Sequence, residues 1–253
     1  MDKPSGTARS EVSFERENHL GQPIGAELPG WKPRQRPDKS PMQGRFCRVE
    51  ALDPDRHATG LFESFGADPD GAIWTYIHFG PFRSQQDLEV WASDASRDDD
   101  VPYFAILDQP SGRPLGIASF MRIKPEHGVL EVGGIVYSPL LQRKPAATEA
   151  MFLMMRRAFR DLGYRRYEWK CDALNAASRR AAARLGFSYD GLFEQVVIYK
   201  GRNRDTTWFS ILDRDWPMLE RAYDAWLSPE NFDASGEQIR KLGDLIASAR
   251  AAT

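Results

Sequence analysis

The stretch Gln142-Arg143-Lys144-Pro145-Ala146-Ala147-Thr148 holds the residue types best suited to grip an anion. It leads from a strand-like segment into a run with helical spacing. The first N–H groups of a helix have no partner inside it and lie at the positive end of the helix dipole, which suits a pyrophosphate. Arg143 and Lys144 add two cations there, and the small Ala146 and Ala147 let a ligand approach the backbone. The same residues also read as an ordinary loop entering an ordinary helix, with two solvated cations. Upstream, residues 129–137 alternate so that Glu131, Gly133, Ile135 and Tyr137 share one face of a strand. Gly133-Gly134 within it marks a bulge, a close approach of a ligand, or merely a weak strand. His19, His57, His78 and His127 are scattered, and surface or core positions explain them; His78, in an aromatic run before Gly80-Pro81, is the one to follow as a substrate-side residue. Cys47 and Cys171 lack a Cys or His at metal-ligand spacing, so they read as buried reduced thiols, and no metal is expected.

These residues need a frame. Residues 45–49, 103–107, 115–123, 129–137 and 166–171 read as strands, residues 73–79 as an aromatic strand, and residues 187–199 with 205–212 as a hairpin. Asp53-Pro54 opens a helix to about residue 65, and Ser84 caps another to about 93. Pro145 begins a helix to residue 162, with Ala147, Ala150, Met151, Met154, Ala158 and Leu162 on one face. Further helices cover residues 175–185, 215–227 and 236–251, the last with Ser235 as N-cap and Gln238 completing a capping box. Interleaved strands and helices indicate an α/β or α+β sandwich in one domain. Residues 1–43 are polar and rich in Gly and Pro, and read as an extended arm, disordered at its start and pinned by Ile24 and Trp31.

The whole chain has 253 residues, 34 Lys+Arg against 36 Asp+Glu and a net charge of -2, which speaks against a bulk nucleic-acid binder or a polybasic membrane anchor. No apolar run is long enough to span a membrane and the N-terminus carries no secretory core, so a cytoplasmic location is expected.

Three passages in order carry a likeness. The loop at Gln142 to Thr148 is followed by Asn175-Ala-Ala-Ser178 with Arg184-Leu185-Gly186-Phe187, then by Asp205-Thr-Thr-Trp-Phe209-Ser210 and Asp215-Trp216. Together they resemble the GCN5-related N-acetyltransferase (GNAT) superfamily, and within it the RimJ/RimL type that acetylates ribosomal proteins. The resemblance covers residues 44–216, leaving the arm before it and C-terminal helices at 217–253 after it. It implies a mixed, twisted sheet of about seven strands flanked by helices, with acetyl-CoA in a cleft where the family's fourth and fifth strands splay, here residues 129–137 and 166–171. The implied function is acetyl transfer from acetyl-CoA to a primary amine, a small molecule or a protein N-terminus, by direct attack in a ternary complex. A catalytically silent CoA-binding or sensory module is the alternative. Two positions depart from the pattern. Pro145 stands at the loop's central Gly position and has no N–H to donate. Ala182 stands where many members carry the Tyr that protonates the departing thiolate.

By that resemblance, Ile135, Tyr137, Gln142, Arg143, Lys144, Ala146, Ala147, Thr148 and Asn175 are the expected cofactor contacts. Glu131 is a base candidate or a solvent-facing strand residue. Ser178 is a hydroxyl for the thiol sulfur or an ordinary helix serine, and Tyr199 a general acid or a sheet aromatic. Trp31, His78 and Phe79 are expected on the acceptor side. The arm and the C-terminal helices are candidates for holding a homodimer.

Overall fold

The computed structural model describes residues 16–252; the expected disordered start of the arm lies outside them. Two short strands, β1 (Arg16–Glu17) and β2 (Pro23–Ile24), pair in the arm. The main sheet contains β3 (Met42–Gln43), β4 (Cys47–Ala51), β5 (Tyr103–Asp108), β6 (Pro114–Lys124), β7 (Val129–Tyr137), β8 (Arg166–Asp172), β9 (Ser188–Tyr199) and β10 (Arg202–Leu212). These eight strands lie in the order β3-β4-β5-β6-β7-β8-β10-β9, antiparallel throughout except for β7 beside β8.

Local chemistry starts the helices where the sequence signals them. Asp53 accepts the N–H groups of Asp55 and Arg56 and Pro54 takes the first position of α1 (Pro54–Phe65). Ser84 and Asp87 form a reciprocal capping box on α2 (Gln85–Arg97). Leu61, Phe65, Leu88 and Ala92 of this pair pack on Ala105, Leu107, Ile117 and Val136, covering one face of the sheet. The other face carries α3 (Pro145–Arg156), extended by a π-turn at Arg157–Asp161. It also carries α4 (Ala176–Arg184), α5 (Trp216–Leu227) and α6 (Leu242–Ala251). Met151 and Met154 meet Phe120, Leu130, Tyr167 and Phe209 in that core. On its outer side α3 offers Phe152, which stacks on Tyr223 of α5 with centroids 5.0 Å apart. α3 is thus enclosed between sheet and helix.

Two segments differ from their sequence pattern. Residues 73–79 form no strand: a 3-10 turn at Ala72–Trp74 opens them, and Trp74 is buried against Phe65, Phe79 and Phe82. Their aromatic side chains seal the end of the α1–α2 layer, so apolar content here reflects loop packing and not a ladder. The last helix begins at Leu242, because Ser235 bonds Asp233 in a turn and Gln238 accepts the Trp226 indole N–H at 2.8 Å. The capping box is outcompeted by a tertiary bond.

Glu50 in β4 is buried and holds the Nε2 of His57 at 2.8 Å, while His57 Nδ1 accepts the Asp53 N–H at 3.0 Å. Burial outweighs the carboxylate and keeps the imidazole below its ordinary pKa. Below about pH 6.5 the unfolded chain therefore binds a proton that folded His57 refuses, and stability falls as pH drops, by up to about 1.4 kcal/mol per pH unit. Urea unfolding between pH 7 and 5 should show a shallower fall for His57→Gln; an equal slope would remove His57 from the acid response.

Candidate functional site

The parallel pairing of β7 with β8 runs from Val129–Arg166 to Val132–Trp169 and stops there. β7 stays paired to β6 as far as Tyr137, and β8 to β10 as far as Asp172. The two strands therefore diverge, and from Gly133 to Tyr137 β7 has no strand partner on its β8 side. Unpaired strand edges are costly to bury and ready to bond an extended ligand.

A bulge shapes that edge. Ser119 pairs with Gly133 and Ile117 with Val136, so Gly134 and Ile135 together oppose Ala118. Gly134 has φ +58, and a Cβ there would lie 2.7 Å from the Tyr103 hydroxyl oxygen. The extra residue inverts the strand's alternation. Glu131 and Gly133 look towards the α1–α2 side, while Ile135 and Tyr137 pack with the α3 core. The expectation that all four share one face is corrected on that ground.

On the α3 side, the loop is held by Gln142, whose amide donates to Tyr137 O at 3.0 Å, and by the Tyr137 hydroxyl, which donates to Ala147 O at 3.2 Å. Arg143 has φ +62, and Arg143 and Lys144 stand exposed before Pro145, the first residue of α3. Ala146 and Ala147 follow in the first turn. Thr148 is buried and its hydroxyl accepts from Arg184 of α4 at 2.7 Å, which takes it off the loop's open side. Asn175 caps α4 by accepting the Ser178 N–H at 3.0 Å. The Ser178 hydroxyl accepts the indole N–H of Trp169, the last paired residue of β8, at 2.9 Å. Ala182 is buried in the core beneath the helix.

On the opposite side of β7 lies a cavity of about 460 Å³ lined by His78, Trp91, Asp98, Tyr103, Met121 and Arg122, among others. Burial, helped by Arg204 and Lys200, lowers the His78 pKa, so the imidazole is neutral near pH 7. Burial pushes the Tyr103 hydroxyl up to about 12. Phe79 stands behind this wall, stacked on Trp91 at 4.5 Å.

Glu131 is buried and committed. Arg122, at φ +47 in a second bulge, holds it at 2.7 Å, and Lys170 of β8 at 2.9 Å. Lys170 also pairs with Glu168 at 2.9 Å, and Glu168 with Arg166 at 2.6 Å. The Glu131 carboxylate is thus occupied by two cations. Tyr199 donates to Asp172 at 2.9 Å, and burial with that carboxylate raises its pKa to about 12. Arg122 and Lys170 were not legible as site residues, since one depends on a bulge and the other on the point where pairing ends.

Trp31 lies elsewhere. Its indole donates to Glu126 O at 2.9 Å, its ring packs on Gly128, and Arg34 lies 4.4 Å above it. Gly128 precedes β7, at the end away from the splay, so Trp31 anchors the arm and does not line the cavity.

Against known families, residues 48–188 match the model of the Acetyltransferase (GNAT) domain. The chain belongs to the GNAT acetyltransferase family. A GCN5-related N-acetyltransferase structure from Brucella melitensis is 44% identical, with TM-score 0.85, covering 87% of this chain and all 100% of that one. A probable GNAT acetyltransferase from Chromobacterium violaceum is 35% identical at TM-score 0.72, covering 77% of this chain and 97% of that one. The uncharacterized N-acetyltransferase YnaD of Bacillus subtilis is 23% identical over 58% of this chain and 84% of its own length. For this GNAT enzyme, Trp31→Ala should cost about 1–2 kcal/mol of stability and leave turnover unchanged. A large change in kcat with intact stability would return Trp31 to the acceptor side. Among the described residues no group of three or more His, Cys, Asp or Glu is placed to hold a metal, and no helix is long and apolar enough to cross a membrane.

Proposed function

We propose that the chain is an acetyl-CoA-dependent N-acetyltransferase that acetylates a primary amine, on a small molecule or a protein N-terminus, by direct attack in a ternary complex. The observation that carries this reading is the unpaired β7 edge at the Gly134 bulge, with the α3 N-terminus on one side and a lined cavity on the other. Acetyl-CoA supplies an activated acetyl thioester. The β7 edge and Asn175 suit its extended arm, and the loop at Gln142 to Ala147 suits its pyrophosphate. Pro145 brings no N–H, so Arg143 and Lys144 carry more of that contact.

For the amine's proton, the neutral imidazole of His78 on the cavity wall is the acceptor, ahead of Glu131, whose carboxylate is held by Arg122 and Lys170. Tyr199, bound to Asp172 with a raised pKa, is a weak acid, which leaves the Ser178 hydroxyl to meet the thiol sulfur. The closer likeness to ribosomal-protein acetyltransferases rests on the downstream motifs and belongs to the same proposal. Pro145, which has no N–H for the phosphates, and buried Ala182 support the silent CoA-binding module.

The test is thiol release from acetyl-CoA across a panel of amines, with CoA binding followed by calorimetry. Turnover with any amine supports the enzyme; binding without turnover supports the silent module; neither contradicts both. Within the enzyme reading, Arg143→Ala should raise the acetyl-CoA KM about three- to tenfold at nearly constant kcat, because the lost contact serves ground and transition states alike. An unchanged KM would show that the side chain does not meet the phosphates.

A further inference from the structure

Arg204, Thr206 and Trp208 alternate along β10, on the face shared with Asp172 and Lys170 of β8, the register partners of Thr206 and Trp208. Each keeps a buried polar atom with no partner in the protein: Arg204 Nε, Thr206 Oγ1 and Trp208 Nε1. Thr206 is only 3% exposed. Buried donors without acceptors are expensive, so an acceptor that reaches this face, from water or from a ligand, would be stabilised there.

The row does not itself line the cavity, but Arg204 at its end lies on the His78 side of it. Arg204 lies 5.7 Å over the Tyr199 ring and its charge bears on His78, which lines that cavity. The connection between α1 and α2 closes over it. Tyr76 donates to Leu174 O at 3.3 Å, and Lys200 at the β9–β10 turn donates to Trp74 O at 2.9 Å. Among the described residues Arg204 has no carboxylate within ion-pair distance, unlike Arg122 and Arg166. Asp172, the carboxylate of this face, is already committed to the Tyr199 hydroxyl and the Leu174 N–H.

We propose that Arg204, with Thr206 beside it, determines acceptor specificity by binding an anionic group, a carboxylate or a phosphate, carried by the amine substrate. This rests on the acetyltransferase reading above. A guanidinium with a desolvated edge favours such a group over a neutral one.

The test uses the full-length protein and matched amines: glycine against methylamine, phenylalanine against phenethylamine, and phosphoethanolamine against ethanolamine. The anionic member of at least one pair should show kcat/KM higher by about tenfold or more. Arg204→Gln should bring the ratio of kcat/KM within that pair close to one, whatever it does to the common rate, while leaving the acetyl-CoA KM unchanged. Thr206→Val, nearly the same shape, should remove part of the anionic advantage and serves if the arginine variant does not fold. The carboxylate and phosphate pairs separate the two anions. Equal rates within every pair, or a preference that survives Arg204→Gln, would overturn the subsite while leaving the enzyme standing. If no amine turns over, the acetyltransferase reading fails, and the subsite is read from thermal shifts by acetate and inorganic phosphate with CoA saturating. Stabilisation lost in Arg204→Gln supports it, and no difference between the proteins overturns it.

Discussion

Gly134→Val is expected to lower acetyl transfer about a hundredfold or more while the protein stays folded. Gly134 sits at φ +58, a region that a β-branched residue avoids. Its new Cβ would stand 2.7 Å from the Tyr103 hydroxyl and 3.0 Å from Ser119 Oγ. The chain can relieve this only by flattening the bulge. That returns β7 to simple alternation, swings Ile135 and Tyr137 away from the α3 side, and re-aims the backbone edge between the strands. The loss should fall mainly on kcat/KM for both substrates, with circular dichroism unchanged. Rates within threefold of the parent would show that the bulge does not shape the reacting geometry.

The largest stability effect is expected at Glu149. Its buried carboxylate accepts the N–H groups of Arg45 at 2.8 Å, Phe46 at 2.6 Å and Cys47 at 2.8 Å. It thereby ties the start of β4 to the second turn of α3. Gly44 packs so closely on that carboxylate that any Cβ would collide with it. Glu149→Ala leaves three donors without an acceptor, at about 1–3 kcal/mol each, less relaxation. A net loss of about 3–5 kcal/mol and a Tm lower by about 10 °C are expected. Glu149→Gln retains an acceptor oxygen and should lose less. Chemical denaturation checks both, and a loss below about 1 kcal/mol for the alanine variant would mean that water replaces the carboxylate at no cost.

Much of the frame was legible because it rests on local chemistry. Asp53-Pro54, Ser84 and Pro145 start helices where capping rules place them, and the Gly133-Gly134 pair does mark a bulge. What escaped depends on contacts remote in sequence. The bulge inverts the faces of β7 after Gly133, a shift that alternation cannot foresee. Glu131 looked like a free carboxylate until β6 and β8 brought Arg122 and Lys170 to it. Trp31 carries no local sign of which end of β7 it meets, and residues 73–79 are apolar for packing reasons that mimic a strand. The Arg204 row emerges only from the register of β10 on β8.

The central claim is that the opening between β7 and β8 holds acetyl-CoA and presents its acetyl group to an amine. The most direct measurement is single-turnover transfer, with CoA and acetylated amine both quantified by mass spectrometry, in the parent protein and in Gly134→Val. The predicted result is one CoA released per amine acetylated in the parent, and a rate about a hundredfold lower in the folded variant. Equal transfer by both proteins, or thioester cleavage without an acetylated amine in the parent, would contradict it.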